Sequence, residues 1–124
     1  MARHNDLGAR GEEIATEYLL ADGYTIHRQD ERMQGRGEID IIAFKDNEVV
    51  FVEVKTRTEP VTDPLEVVDT RRQRRMCRAA DAFIDRLSID LLPRFDIIIV
   101  NVAPDGSHTI THYPDAFIPT LNAL

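Results

Sequence analysis

Apolar residues recur at Leu7, Ile14, Ala15, Tyr18 and Leu19, the spacing of one helical face, so the pattern predicts a helix from Leu7 to about Asp22. Asp6 is placed to cap its start and Gly23 to stop its end. Tyr24 to Arg28 alternates and reads as a short strand, and the polar, glycine-containing stretch 29–37 reads as a loop. Two further strands are expected at Glu38 to Phe44 and Val49 to Lys55, joined by Lys45-Asp46-Asn47-Glu48, which has the chemistry of a hairpin turn. With Pro60 and Pro64, Thr56 to Asp69 reads as a long loop with one helical turn near Leu65 to Val68. A second helix is predicted from Thr70 to Leu87, capped by Asp69 or Thr70, with a core stripe of Met76, Ala80, Phe83, Ile84 and Leu87. After Pro93, Arg94 to Val102 is nearly continuously apolar and suits a central strand. Pro104-Asp105-Gly106-Ser107 turns the chain into an alternating edge strand, His108 to Tyr113, and Pro114 and Pro119 make the tail an irregular cover. Helix, three strands, helix and two strands give an α/β domain, a mixed central β-sheet flanked by helices, in one unit over 1–124.

The hairpin carries the one conflict in this pattern. If the turn centres on Asp46-Asn47, partners have numbers summing to 93, so Phe44 faces Val49, Ile42 faces Phe51 and Asp40 faces Glu53. Lys55 shares the face of Glu53 by the period of two. Two carboxylates and an amine then occupy one pocket. Surface charge does not explain them, because Ile42, Phe44, Val49 and Phe51 lie on the same side. An ionised carboxylate taken out of water costs several kcal/mol, on the order of the usual desolvation penalty, unless a cation or hydrogen bonds offset it.

Charge complicates a nucleic-acid partner. The formal net charge is −7, whereas proteins that bind phosphate backbones usually carry a basic excess. Distribution outweighs the sum: Arg71, Arg72, Arg74, Arg75 and Arg78 fall within eight positions of the second helix. No apolar run approaches the roughly 18 residues of a membrane helix, and the start of the chain carries no apolar signal stretch. A cytoplasmic protein with no membrane partner is the expectation, and the single cysteine, Cys77, makes no internal disulfide. His108 and His112 share a strand face, but no acid or cysteine at zinc-ligand spacing joins them.

Two acids on adjacent strands with a lysine beside them suit hydrolysis of a phosphodiester. Asp40, Glu53 and one backbone carbonyl, that of Val54, would hold Mg²⁺ or Mn²⁺, hard cations that take oxygen ligands and keep waters. Such an ion supplies an activated water and offsets charge on the scissile phosphate. Lys55 is placed to orient or deprotonate that water or to stabilise developing charge. If DNA is the partner, Arg71, Arg72 and Arg75 are the expected phosphate contacts, and Gln73 is within reach of substrate or pocket.

Gly37-Glu38-Ile39-Asp40, then Val52-Glu53-Val54-Lys55 after a hairpin, resembles the PD-(D/E)xK core of restriction-endonuclease-like proteins. With Gly11-Glu12 in the first helix and Arg94-Phe95-Asp96 before the fourth strand, nearly the whole chain resembles the small bacterial YraN family of endonuclease-like proteins, related to archaeal Holliday-junction resolvases. The resemblance implies a restriction-endonuclease-like fold and a metal-dependent DNA endonuclease. Asp40, Glu53 and Lys55 then match the catalytic motif, and Glu12 matches the first-helix acid of the resolvases. It also brings in branched DNA as a substrate and a homodimer as an assembly. Ile39 stands where the motif has proline, and Arg72 where similar sequences usually carry lysine. The alternative class is a nucleic-acid-binding or scaffold module that keeps the nuclease fold without turnover.

Overall fold

The computed structural model describes residues 3–27 and 39–118. Its elements run α1 (Arg3–Ala21), β1 (Thr25–Ile26), β2 (Ile41–Lys45), β3 (Glu48–Arg57), a 3₁₀ turn (Pro64–Glu66), α2 (Thr70–Leu87), β4 (Leu92–Val102) and β5 (His108–Phe117). The strands form one five-stranded sheet in the order β1-β2-β3-β4-β5. Only β3 and β4 are parallel, as the crossover through α2 requires, and the other neighbours are antiparallel. This is the mixed-sheet α/β fold that the element order predicts.

Each face of the sheet has its own core. Leu19 and Ala15 of α1 pack on Val50, Val52, Val54, Ile98 and Val100, while Met76, Cys77, Ala80 and Phe83 of α2 pack on Val49, Phe51, Phe95, Ile97 and Ile99. The period of two along β3 therefore sends its even-numbered residues to α1 and its odd-numbered residues to α2. Glu53 and Lys55 follow Val49 and Phe51 onto the α2 side.

Helix α1 ends as Gly23 dictates. With φ of 90°, Gly23 lets its own N–H reach the Leu20 carbonyl and that of Tyr24 reach the Leu19 carbonyl, closing a Schellman motif. The start differs from expectation: α1 begins at Arg3, so Asp6 lies inside the helix rather than capping it. Helix α2 has the predicted bounds. Asp69 caps it, accepting from the Arg72 N–H at 2.8 Å. Leu87, expected in the core, is exposed.

The stretch after Tyr113 is the larger correction, while Pro119 and the rest of the expected tail, 119–124, lie outside the described residues. β5 continues to Phe117, which stacks on Phe95, where Pro114 suggested irregular chain. An edge strand tolerates a proline, and the register between Phe95 and Ile97 shifts to accommodate the extra residues at Asp115, whose φ is 54°. The expected loop 29–37 and the residues Arg28, Gly37 and Glu38 lie outside the described residues. Among the described residues no helix is long and apolar enough to cross a membrane.

Candidate functional site

The hairpin register is the one the turn dictates: Phe44 pairs with Val49, Ile42 with Phe51 and Ile41 with Val52. β2 begins one residue after Asp40, which sits on a bend at its entrance. Its side chain takes over the ladder there, Oδ2 accepting from the Val54 N–H at 2.8 Å. That contact holds Asp40 near Glu53, whose charge acts on it. Because N–H and C=O of one strand residue point to the same edge, the Val54 carbonyl also faces this end of the sheet.

Glu53 is buried and ion-paired on both oxygens: Lys55 Nζ lies 3.2 Å from Oε2 and Arg72 Nη2 lies 2.7 Å from Oε1. Glu12 reaches the cluster from α1. Gly11 makes this approach feasible, for it is buried against β3, and a Cβ built on it would overlap the Thr56 hydroxyl. Gly8, one turn earlier, has nothing within 4 Å and is not a packing position.

Crowding of like charge is written into the acids. Asp40 is pushed up to about 7, first by burial, then by the charge of Glu53, with a smaller contribution from Glu12; the Val54 N–H opposes the rise. Glu12 is raised by burial and then by Glu53. Three carboxyls face two cations, Lys55 and Arg72.

Among the described residues no group of three or more Asp, Glu, His or Cys side chains could by itself hold a metal ion. A cation here would rest on the Asp40 and Glu53 carboxylates, a main-chain oxygen such as that of Val54, and water. This all-oxygen, mostly hydrated donor set with surplus negative charge fits Mg²⁺ or Mn²⁺ and does not fit a structural zinc.

The arginines of α2 divide into two groups. Arg72 lies one turn before Met76 on the buried stripe 72-76-80-83 and turns inward onto Glu53. Arg71, Arg74 and Arg78 are exposed, and Arg75 is half-buried. Gln73 donates its amide to the Val68 carbonyl at 3.0 Å, tying the helix to the preceding loop. Grouping Arg72 with Arg71 and Arg75 missed its orientation, although the i−4 relation to Met76 carried the signal. Arg57 continues the odd-numbered side of β3 after Glu53 and Lys55, and its guanidinium donates to the Thr56 carbonyl at 3.0 Å.

A second polar network lies on the α1 face, away from these acids. Asp96, fully buried, accepts from Arg94 Nε at 2.9 Å and Nη2 at 2.7 Å, from His112 Nε2 at 2.7 Å and from the Asp115 N–H at 2.9 Å. Arg94 also bonds Glu48 and the Tyr24 hydroxyl, and His112 Nδ1 meets the Tyr18 hydroxyl at 3.0 Å. Burial alone would raise Asp96, but the bonds from His112, Arg94 and Asp115 outweigh it and hold the group below its ordinary value. His108, at the other end of β5, is exposed and does not join His112.

A mixed sheet with a helix on each face and a carboxylate-lysine cluster at one end places the chain among α/β proteins with an architecture consistent with the restriction-endonuclease-like fold. Residues 11–100 match the model of the family described as "Uncharacterised protein family UPF0102". A UPF0102 protein of Bacteroides thetaiotaomicron is 45% identical, over 98% of this chain and 99% of its own length. One of Porphyromonas gingivalis is 44% identical over 94% of this chain and 87% of its own, and one of Christiangramia forsetii 37% over 94% and 98%. The chain belongs to the UPF0102 family, which is the YraN family its motifs resemble.

Proposed function

We propose that this chain is a divalent-metal-dependent endonuclease that hydrolyses phosphodiester bonds in DNA, with branched, junction-like DNA among its substrates. One observation carries the reading: Asp40 and Glu53 lie side by side at the sheet end with Lys55 on Glu53, and their mutual repulsion asks for a cation. Bound by Asp40, Glu53 and the Val54 carbonyl, Mg²⁺ or Mn²⁺ would supply an activated water and charge to offset the scissile phosphate.

The chain's own groups do the rest. Lys55 offers three donors from a partly exposed position and is able to orient the attacking water or meet negative charge as it develops. Glu53 is oriented by its two ion pairs. Asp40 must lose its proton to ligate, so catalysis is favoured above about pH 7. Glu12 adds negative charge from the α1 side. Arg71 and Arg75, with the exposed Arg74 and Arg78, draw the phosphate backbone toward α2.

The deciding assay offers duplex, single-stranded and four-way-junction DNA with Mg²⁺ or Mn²⁺. Cleavage by the wild type that disappears in Asp40→Ala and Glu53→Ala supports the reading, and cleavage that survives both substitutions refutes the assigned site. A second reading, a DNA-binding module without turnover, is favoured by the double ion pairing that already neutralises Glu53. Its signature is tight DNA binding that survives Lys55→Ala with no wild-type cleavage of any substrate.

A further inference from the structure

Arg72 occupies an unusual place for a residue in an arginine-rich helix start. Its neighbours Arg71, Arg74 and Arg78 project into solvent, whereas its own side chain is only 14% exposed and reaches Glu53, itself 3% exposed. The Asp69 cap fixes the first turn of α2 by accepting from the Arg72 N–H, so the side chain is aimed by both the cap and the helical stripe. At 2.7 Å the guanidinium covers Glu53 Oε1, while Lys55 takes Oε2 and the Val54 N–H takes Asp40 Oδ2. Both oxygens of Glu53 are thereby engaged before any external ion arrives.

We infer that Arg72 is a built-in counter-ion of the acidic cluster, which a divalent cation displaces from Glu53 as it binds, freeing the guanidinium for a substrate phosphate. The inference deepens the proposed nuclease reading and rests on it. Without Arg72, Glu12, Asp40 and Glu53 would face each other with Lys55 alone. A guanidinium suits this position better than an ammonium because its planar fork matches a carboxylate and, once released, a phosphate. Arg72 is in these terms a positioning residue: it holds the Glu53 carboxylate in place and sets how readily a cation enters.

Displacement has a consequence that a purely structural ion pair lacks, since neutralising Arg72 removes a competitor and should tighten cation binding. The test is calorimetric titration of the metal-free protein with Ca²⁺ and with Mn²⁺ at roughly pH 8, above the value of about 7 to which Asp40 is raised. R72Q should bind about tenfold more tightly than the wild type or better, as expected when a unit charge at contact distance leaves a buried carboxylate. R72K keeps the charge but loses the fork, and should fall between the two. If R72Q does not fold, R72K against the wild type carries the test, and binding no tighter than wild type overturns the inference. Wild-type cation binding that is unchanged or weakened in R72Q overturns the inference and leaves the nuclease reading standing. No cation binding in wild type, R72Q or R72K overturns both.

Discussion

The Asp40 carboxylate accepts a 2.8 Å hydrogen bond from the Val54 N–H, so the residue ahead of β2 is tied to β3 next to Glu53 although the backbone ladder has not yet begun. The bond selects the ionised form, yet burial and the neighbouring Glu53 and Glu12 outweigh it and leave Asp40 near neutrality. The candidate site is therefore strained by its own charge.

That strain has a sign. Asp40 binds its proton more tightly folded than unfolded, so metal-free stability should fall as pH rises from about 4 to about 7 and level off above. Asp40→Asn, which keeps an acceptor for the Val54 N–H and removes the charge, should stabilise the metal-free protein at pH 8 by roughly 1–3 kcal/mol and flatten this window. Urea unfolding at several pH values in chelator reads it directly. A destabilised Asn variant at pH 8 would show that Asp40 is better paired than its neighbours suggest.

Asp96 supplies the opposite case within the same sheet. Its folded value is depressed, so its contribution is present above the ordinary carboxylate range and is lost as pH falls through and below it. Asp96→Ala leaves Arg94 and His112 without their shared acceptor and should cost about 3–5 kcal/mol, the usual penalty for breaking a buried pair. A thermal melt should then show a large drop, with no selective loss of cation binding at the other face of the sheet.

How far the sequence carried this molecule depended on the range of each interaction. The two-residue turn at Asp46-Asn47 fixes the hairpin register from Lys45–Glu48 to Ile41–Val52 from local chemistry alone, whereas the expected Asp40–Glu53 strand pair does not form: Asp40 precedes β2 and is held by its side chain on the Val54 N–H instead. The Asp69 cap and Gly23 stop act within a turn and were equally readable. The Arg94–Asp96–His112 network was not, because Arg94 reaches Tyr24 across 70 residues and no local pattern announces such a partner. Pro114 misled for a related reason: the edge position that makes it harmless belongs to the sheet, not to the neighbouring residues. Composition groups Arg72 with its exposed neighbours, whereas its phase with Met76 places it inside, on Glu53.

Lys55 separates catalysis from folding. It is 30% exposed and pairs with a glutamate that Arg72 also holds, so Lys55→Met should cost no more than about 1 kcal/mol in stability. Cleavage should nevertheless fall about 10²-fold or more, the usual contribution of a positioned acid-base or charge-stabilising group. Matched melts and single-turnover cleavage assays test the pair of outcomes. Equal losses in both would assign Lys55 to structure.

The arginines of α2 other than Arg72 make a claim about salt. Arg71 and Arg75 lie on one side of α2 at i and i+4, a neighbouring pair on the helix surface. If each contacts a phosphate, Arg71→Ala and Arg75→Ala should weaken duplex binding at all sequences and reduce the slope of log affinity against log salt by about one each. Fluorescence anisotropy across a salt series measures this, and an unchanged slope removes that residue from the interface.

Gly11 tests how α1 delivers Glu12. Alanine in a helix interior normally gains about 1 kcal/mol over glycine. Here a Cβ would strike the Thr56 hydroxyl and press on the Thr56 Cβ at 3.2 Å, so Gly11→Ala should destabilise instead and shift the helix away from β3. Thr56→Ala removes the obstructing hydroxyl. The double variant should recover most of the loss, and the coupling in a double-mutant cycle should be about 1 kcal/mol or more. Because Glu12 rides on the displaced turn, the single variant should also bind cations more weakly than the double variant. Independent, additive effects of the two substitutions would mean that the Gly11–Thr56 approach does not set the position of Glu12.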